Sequence, residues 1–306
     1  MKSLKHFLSI NDLDPEQFIS ILDSATQLKA NRRNHEKTLT GQVGGIITTK
    51  PSLRTRLSFE IGLLELGAKA LFVRNEEVGL GQRESYADIV RVLERYLDFL
   101  IVRTHDHQGL IEMVKYSSSL NIINALTSEE HPCQILADFL TIKENFKTFK
   151  NLKLTYIGDG NNVCHSLMLA SSLLGVEFTA ITPAKYEPNA KYINLASQNA
   201  KKFSGKEPKM TNDIQKALEA DILYTDVWVS MGESVDHKSQ SDFENYKINE
   251  SLLKNKNIPV LHCLPAHKDQ EISDEVFENN AKLIFDQAEN RLHAQKALML
   301  HLHSSR

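Results

Sequence analysis

The sequence predicts an α/β protein built as two doubly wound domains, each around a mostly parallel sheet. Three observations carry that prediction. Short apolar runs alternate with stretches of helical period from residue 15 onward. The alternation lapses at the charged, aperiodic Lys143-Glu144-Asn145-Phe146-Lys147-Thr148-Phe149-Lys150-Asn151 and then resumes. The length of 306 residues suits about two domains. Strands that alternate with helices imply parallel pairing with both sheet faces covered. Sheets of that kind bind ligands beyond the carboxyl ends of their strands.

Asp14-Pro15-Glu16 opens a helix whose Phe18, Ile21, Leu22, Ala25 and Leu28 recur at helical spacing. Residues 43–49 read as a buried strand with small residues for close packing, and Leu57, Phe59, Ile61, Leu63, Leu64 and Leu66 as a helix that Gly67 stops. Between them, Lys50-Pro51-Ser52-Leu53-Arg54-Thr55-Arg56 places Ser52 at a strand-to-helix turn, as the natural N-cap. Backbone N–H groups, the positive end of the helix dipole, two arginines and two hydroxyls gather there, which suits a phosphate. The competing reading is a solvated helix start whose arginines pair with nearby acids. Strands are expected at 70–73, 99–103 and 121–125, with a polar loop over 74–85 and a helix over 86–96. A helix begins near His131-Pro132-Cys133-Gln134 and runs to Glu144. In the second half, strands are expected at 152–158, 178–181, 221–225, 259–263 and 282–285, a helix from Asn162, and a closing helix over 290–303.

The composition, 41% hydrophobic and 25% charged, is that of an ordinary globular chain. A net charge of −3 supplies no basic field for nucleic acid or an anionic membrane. Cys133, Cys164 and Cys263 are odd in number and lack metal-site spacing, which fits a reduced intracellular protein. With no signal-peptide core and no apolar stretch of membrane-spanning length, a soluble cytoplasmic protein is expected.

Many polar residues fall just after an expected strand. Arg103 ends one; His131 and Gln134 open the helix after another; Asn161 and Asn162 follow Gly158-Asp159-Gly160. Asp226 begins Asp226-Val227-Trp228-Val229-Ser230-Met231-Gly232, Cys263 lies in His262-Cys263-Leu264-Pro265, and Arg291 opens the last helix. They would share one rim if the two sheets faced each other. Each has a plainer reading: His131 bonded to backbone, Cys263 as inert core, Arg291 paired with Glu289, Trp228 as packing. Gly158-Asp159-Gly160 lacks the third glycine of a dinucleotide loop, since Val163 stands in its place.

In combination, Ser52-Leu53-Arg54-Thr55-Arg56, His131-Pro132-Cys133-Gln134, Gly158-Asp159-Gly160-Asn161-Asn162, Asp226-Val227-Trp228-Val229-Ser230-Met231-Gly232 and His262-Cys263-Leu264-Pro265-Ala266-His267 resemble the transcarbamoylases. The Ser-Met-Gly and His-Cys-Leu-Pro segments resemble the ornithine branch of that family. The resemblance implies a carbamoyl-phosphate-binding domain over 1–145, an ornithine-binding domain over 146–288, and a C-terminal helix, 289–306, packed back on the first. It implies transfer of a carbamoyl group to the δ-amine of L-ornithine in a cytoplasmic homotrimer, with no metal or organic cofactor. By position, Ser52, the Leu53 N–H, Arg54 and Thr55 would hold the phosphate. Arg103 would bridge phosphate and carbamoyl oxygen, and His131 would donate to that oxygen. Gln134, the Leu264 carbonyl and Arg291 would orient the carbamoyl end. Asn162, Asp226, Ser230 and the Met231 backbone would grip the amino-acid head group, with Cys263 and Asp226 beside the reacting amine. The polar segment 232–242 is expected to fold over ornithine after carbamoyl phosphate has docked. Two positions depart from the family pattern. Leu53 replaces a usual threonine, and Gly79 replaces a glutamine that reaches a neighbouring subunit, with Arg83 as its candidate substitute. Rival readings are a transcarbamoylase for another acceptor and a non-catalytic metabolite-binding relative.

Overall fold

The computed structural model describes residues 4–49, 52–81, 83–229 and 240–305. The chain divides into two compact units, one of Met1–Leu140 with Asn290–Arg306, the other of Thr141–Glu289.

Unit 1 opens with α1, Pro15–Ala30, started by a capping box between Asp14 and Gln17, with proline in its first turn. Its buried Phe18, Ile21, Leu22, Ala25 and Leu28 are the residues whose spacing predicts the helix. There follow β1 (Val43–Thr48), α2 (Leu53–Glu65), β2 (Lys69–Arg74), α3 (Asn75–Val78), α4 (Tyr86–Leu93), β3 (Phe99–Arg103), α5 (His107–Tyr116), β4 (Asn121–Leu126) and α6 (Pro132–Asn145). The four strands are parallel in the order β2-β1-β3-β4. Phe99, Leu100, Ile101 and Val102 are fully buried, as an inner strand covered on both faces requires. The chain winds outward from β1 to β2 and then crosses over to β3. The direction of winding therefore switches between β1 and β3, where Thr48 lies beside Arg103.

Unit 2 contains β5 (Lys153–Ile157), α7 (Asn162–Leu174), β6 (Glu177–Ile181), α8 (Ala190–Phe203), β7 (Lys209–Thr211), β8 (Ile222–Thr225), α9 (Glu250–Leu253), β9 (Val260–His262) and α10 (Asp274–Asn279), and the first turns of α11 (Ala281–Ser304). Its sheet is parallel in the order β7-β6-β5-β8-β9. Here the switch lies between β5 and β8, where Ile157 pairs with Thr225, and Thr225 in turn pairs with His262. The expected two-domain α/β class, with a parallel sheet in each half and a C-terminal helix, is the observed one.

Three local expectations fail. Residues 282–285, expected as a strand, are the opening of α11, and Arg291 lies well inside that helix. Ile284, Gln287, Asn290 and Arg291 are buried while Phe285 is exposed, which is helical spacing; four apolar-rich residues are too few to separate the two periods. The edge strand β7 has three residues and only partial burial, too little alternation to signal itself. The expected loop over 74–85 contains the single turn α3. Gly79 in that loop has φ +59°, and a Cβ there would meet the Arg83 Cβ at 2.9 Å, so the turn closed by Arg83 N–H on the Gly79 carbonyl (3.0 Å) favours glycine. No helix among the described residues is long and apolar enough to cross a membrane.

Polar anchors hold the later part of α11 within unit 1. Lys29 Nζ donates to Asn290 Oδ1 at 2.8 Å. Lys296, with 0% exposure, donates to Glu65 Oε2 at 2.7 Å, while Arg32 Nε donates to Glu65 Oε1 at 2.9 Å. Burial alone would raise the Glu65 carboxyl, but the hydrogen bonds from Lys296 and Arg32 outweigh it and hold the group below its ordinary value. Gly62 leaves room for the Lys296 stem, its Cβ position lying 3.3 Å from Lys296 Cγ. Removing one partner of a buried pair strands the other. Lys296→Met is therefore expected to lower folding stability by about 2–3 kcal/mol in urea followed by circular dichroism, and Glu65→Gln added to it to recover part of the loss.

Candidate active site

In unit 1 the candidate residues collect at the carboxyl ends of β1 and β3. Ser52 occupies the cap position of α2 in extended conformation, but its hydroxyl makes no capping hydrogen bond, contrary to the expectation of a natural N-cap. Lys50 and Pro51, just before it, lie outside the described residues. Leu53, the first helical residue, is 71% exposed. Thr55 faces inward with 0% exposure and accepts from Arg291 Nη2 at 3.0 Å through Oγ1. That bond uses a lone pair of the hydroxyl and leaves its proton to be donated. Arg291 Nη1 also donates to Gln134 Oε1 at 3.1 Å, and Gln134 Nε2 donates to Asp138 Oδ1 at 2.8 Å. One guanidinium from α11 thus joins α2 to α6.

His131, directly before α6, is 5% exposed. Burial, followed by the positive charges of Arg291, Arg103 and Arg54, pushes its imidazole well below the ordinary histidine range. The ring is neutral near pH 7, and three guanidiniums act on one point. Cys133 beside it has its thiol pushed up to about 12 by burial against the opposing pull of Arg291, and donates to the Asn124 carbonyl at 3.2 Å. It is a structural thiol.

In unit 2 the switch between β5 and β8 builds a second cluster. Asp226 follows β8 and Cys263 follows β9, and the pairing of these strands sets them side by side. Cys263 Sγ donates to Asp226 Oδ1 at 3.0 Å, and the Val227 N–H donates to the same oxygen at 2.8 Å. Asp226 Oδ2 accepts from Asn161 Nδ2 at 3.1 Å. Asn162, expected to touch the amino-acid head group, is the first residue of α7, and Asn161 is its N-cap. Tyr156 of β5, fully buried, donates to Asn161 Oδ1 at 3.4 Å. Burial and then the nearby Asp226, Cys164, Asp159 and Cys263 drive its phenol well above the ordinary range.

Leu264 has a left-handed φ of +60°, a conformation that costs a leucine about 1–2 kcal/mol. Its N–H donates to His262 Nδ1 at 2.9 Å, which leaves Nε2 to donate to Glu271 Oε1 at 3.1 Å. Asp226, His262 and Cys263 each bring a potential ligand atom within 4.8 Å of the others. Both nitrogens of His262 are already committed, so its ring has no lone pair to offer a metal. A cavity of about 490 Å³ is lined by Trp228, Val229, Gln240, His267, Lys268 and Gln270. Ser230 and Met231 lie outside the described residues, as do residues 232–239 of the segment expected to cover ornithine; residues 240–242 form one 3-10 turn.

The structure therefore joins Thr55, Gln134 and Arg291 directly, puts His131 under the charge of Arg291, Arg103 and Arg54, and joins Asp226 to Cys263. Two participants escape a reading of the sequence as a site, Asp138 and Glu271, and Asn161, named there beside Asn162, is given no role of its own. Asn161 has an N-cap signal, and Asp138 stands four residues after Gln134 on one helix face. The bonds that Asn161 and Glu271 make depend on strand order and turn geometry, and no spacing reports those.

Comparison with known proteins agrees over both halves. Residues 5–144 match the family model described as the carbamoyl-P binding domain of aspartate/ornithine carbamoyltransferase, and residues 150–302 match its Asp/Orn binding domain. The ornithine carbamoyltransferase of Bacillus cereus is 43% identical over 301 residues, 97% of this chain and 94% of that protein. That of Methanocaldococcus jannaschii is 44% identical over 297 residues, 96% and 97% of the two chains. The solved ornithine carbamoyltransferase from Pyrococcus furiosus superposes with a TM-score of 0.92 at 39% identity, covering 97% of this chain and 96% of that one. With both domain models matched in order and this identity sustained over nearly the whole length, the chain belongs to the aspartate/ornithine carbamoyltransferase family.

Proposed function

We propose that this protein transfers the carbamoyl group of carbamoyl phosphate to the δ-amine of L-ornithine, giving L-citrulline and phosphate. The observation that carries the reading is that Arg291 is bonded to Thr55 in the first turn of α2 and to Gln134 in the first turn of α6, where its charge acts with those of Arg54 and Arg103 on a buried His131. Such a concentration of positive charge favours a doubly charged phosphate ester.

On this reading residues 1–145 bind carbamoyl phosphate and residues 146–288 bind ornithine. Ser52, the Leu53 N–H, Arg54 and Thr55 hold the phosphate. Arg103 bridges it to the carbamoyl oxygen, and the neutral ring of His131 donates to that oxygen. Gln134, the Leu264 carbonyl and Arg291 orient the carbamoyl amide. Asn162, Asp226, Ser230 and the Met231 backbone hold the α-carboxylate and α-amino group, and Cys263 with Asp226 positions the δ-amine. The amine lone pair forms the new C–N bond while the C–O bond to phosphate breaks. One proton leaves the ammonium, whose free value is about 10.4, before attack, and a second leaves with the phosphate. Well-aimed donors on the developing oxyanion contribute roughly 3–4 kcal/mol each, and holding both substrates together supplies much of the rest. The scheme uses neither metal nor organic cofactor. Cys263, whose thiol proton is directed at Asp226, positions the amine and forms no covalent intermediate.

We further infer a homotrimer assembled through unit 1. Leu53, Leu57 and Leu64 lie along one side of α2 and Leu71 on edge strand β2, all exposed at 71%, 43%, 69% and 51%. An apolar patch of this kind is characteristic of an interface. A double Leu64→Glu, Leu71→Glu variant is expected to elute as a 34.7 kDa monomer in light-scattering chromatography where the parent elutes as a trimer.

Offered carbamoyl phosphate with ornithine, N-acetylornithine, putrescine or aspartate, the protein is expected to form a ureido product with ornithine alone. A product from another acceptor and none from ornithine would overturn the assignment. Arg54→Gln is expected to lower kcat/KM for carbamoyl phosphate by about 10³-fold or more, the scale of losing a charged transition-state contact.

The neutral state of His131 also fixes a sign. An unfolded chain takes up this proton as pH falls through about 6.5, and the folded chain does not. Stability present above that pH is therefore lost below it. The stability difference between parent and His131→Gln should be flat above about pH 7 and fall by up to about 1.4 kcal/mol per pH unit below about pH 6. A difference that is flat throughout would mean that His131 charges freely in the folded chain.

A further inference from the structure

The geometry points to Asn161 as a positioning residue that sets the orientation of the Asp226 carboxylate toward ornithine and Cys263. This rests on the ornithine reading above and adds a residue that touches no reacting atom. Asn161 Oδ1 accepts from the Val163 N–H at 2.9 Å, the Cys164 N–H at 3.2 Å and the Tyr156 hydroxyl at 3.4 Å. The two backbone N–H donors fix the polarity of the amide, because a flip would aim its NH₂ at two other N–H groups, whereas the Tyr156 hydroxyl can turn to suit either orientation. With Oδ1 so placed, Nδ2 must face Asp226, where it donates to Oδ2 at 3.1 Å. The other oxygen, Oδ1 of Asp226, is thereby left to Cys263 and the Val227 N–H. The amide thereby holds the plane of the Asp226 carboxylate, so that one oxygen stays aimed at the thiol. The start of α7 is tied in this way to the carboxyl ends of β5, β8 and β9. Gly160 supports the arrangement, since a Cβ there would lie 2.3 Å from the Pro188 nitrogen.

Capping and positioning separate by substitution. Asn161→Ser retains a good cap but cannot reach Asp226. Asn161→Asp retains the cap acceptor and replaces the amide donor with a carboxyl, which donates to Asp226 only while protonated. Two carboxylates this close cannot both ionise at ordinary pH, so the pair keeps one proton up to a raised value. The other titratable groups near Asp226 are Tyr156 on β5, Asp159, Cys164 on α7, and His262 and Cys263 at the end of β9. All are common to parent and variants.

The test is the steady-state rate of citrulline formation by parent, Asn161→Ser and Asn161→Asp, each with an unfolding midpoint. Both variants should remain folded at the assay temperature and keep the parent KM for carbamoyl phosphate, with the Asn161→Asp midpoint falling as pH rises, since the unfolded chain gives up the shared proton more readily. Asn161→Ser should raise KM for ornithine about tenfold at every pH, the scale of one lost hydrogen bond to a charged group. Relative to the parent, kcat/KM of Asn161→Asp for ornithine should fall about tenfold between about pH 6 and about pH 9, as the shared proton leaves. Iodoacetamide alkylation of Cys263 gives a readout that needs no turnover, since Cys133 and Cys164 are fully buried. In Asn161→Asp its rate relative to the parent should decline over the same pH range, because the added negative charge opposes the thiolate. Ornithine kinetics and alkylation unchanged in both variants would overturn the proposal, as would equal, pH-independent losses in both. A parent inactive with ornithine whose Asn161→Asp variant still showed the alkylation shift would defeat the function reading and leave the positioning role standing.

Discussion

The hydrogen bonds of Arg291 are the constraint on which unit 1 depends. A guanidinium from the middle of α11 donates to Thr55 on α2 and to Gln134 on α6, and Gln134 is held in turn by Asp138. The last helix is thereby bound to α2 and α6, whose starts carry Ser52 and His131. Burial first, and then the same guanidinium with Arg103 and Arg54, keeps His131 uncharged. Like charges that act on one point also repel one another, an arrangement that favours an anion over a further cation.

Unit 2 handles its polar groups differently. Here a single buried carboxylate, Asp226, is satisfied by a thiol, a backbone N–H and an amide, with no cation among those donors. Cys263 acts in this setting as a hydrogen-bond donor, and the other two thiols are pushed up by burial and inert. The left-handed Leu264 and the His262–Glu271 pair beneath it shape the backbone that follows Cys263. Local strain of this sort concentrates where backbone groups must be aimed.

The two departures from the family pattern have different characters. Gly79 answers to the local backbone, because its positive φ and the closeness of Arg83 leave little room for a side chain. Leu53 answers to no packing within the chain, being 71% exposed on the same side of α2 as Leu57 and Leu64.

From the sequence alone came the α/β class, the parallel winding of both halves, the starts of α1, α2, α4, α6 and α7, and the placing of Arg103, His131, Asp226 and Cys263 at or just beyond strand ends. Those features follow from local period and from composition, which any stretch of chain displays by itself. The strand expected at 282–285 was misread for the same reason, because four residues show too little of either period. Tertiary structure alone decided that Arg291 reaches Thr55 and Gln134, that Cys263 meets Asp226, and that the amide of Asn161 has only one orientation. Each of these depends on which strands lie side by side and on which helix faces which. Pairings between residues far apart in the chain are set by the packing of whole elements, and no local pattern encodes them.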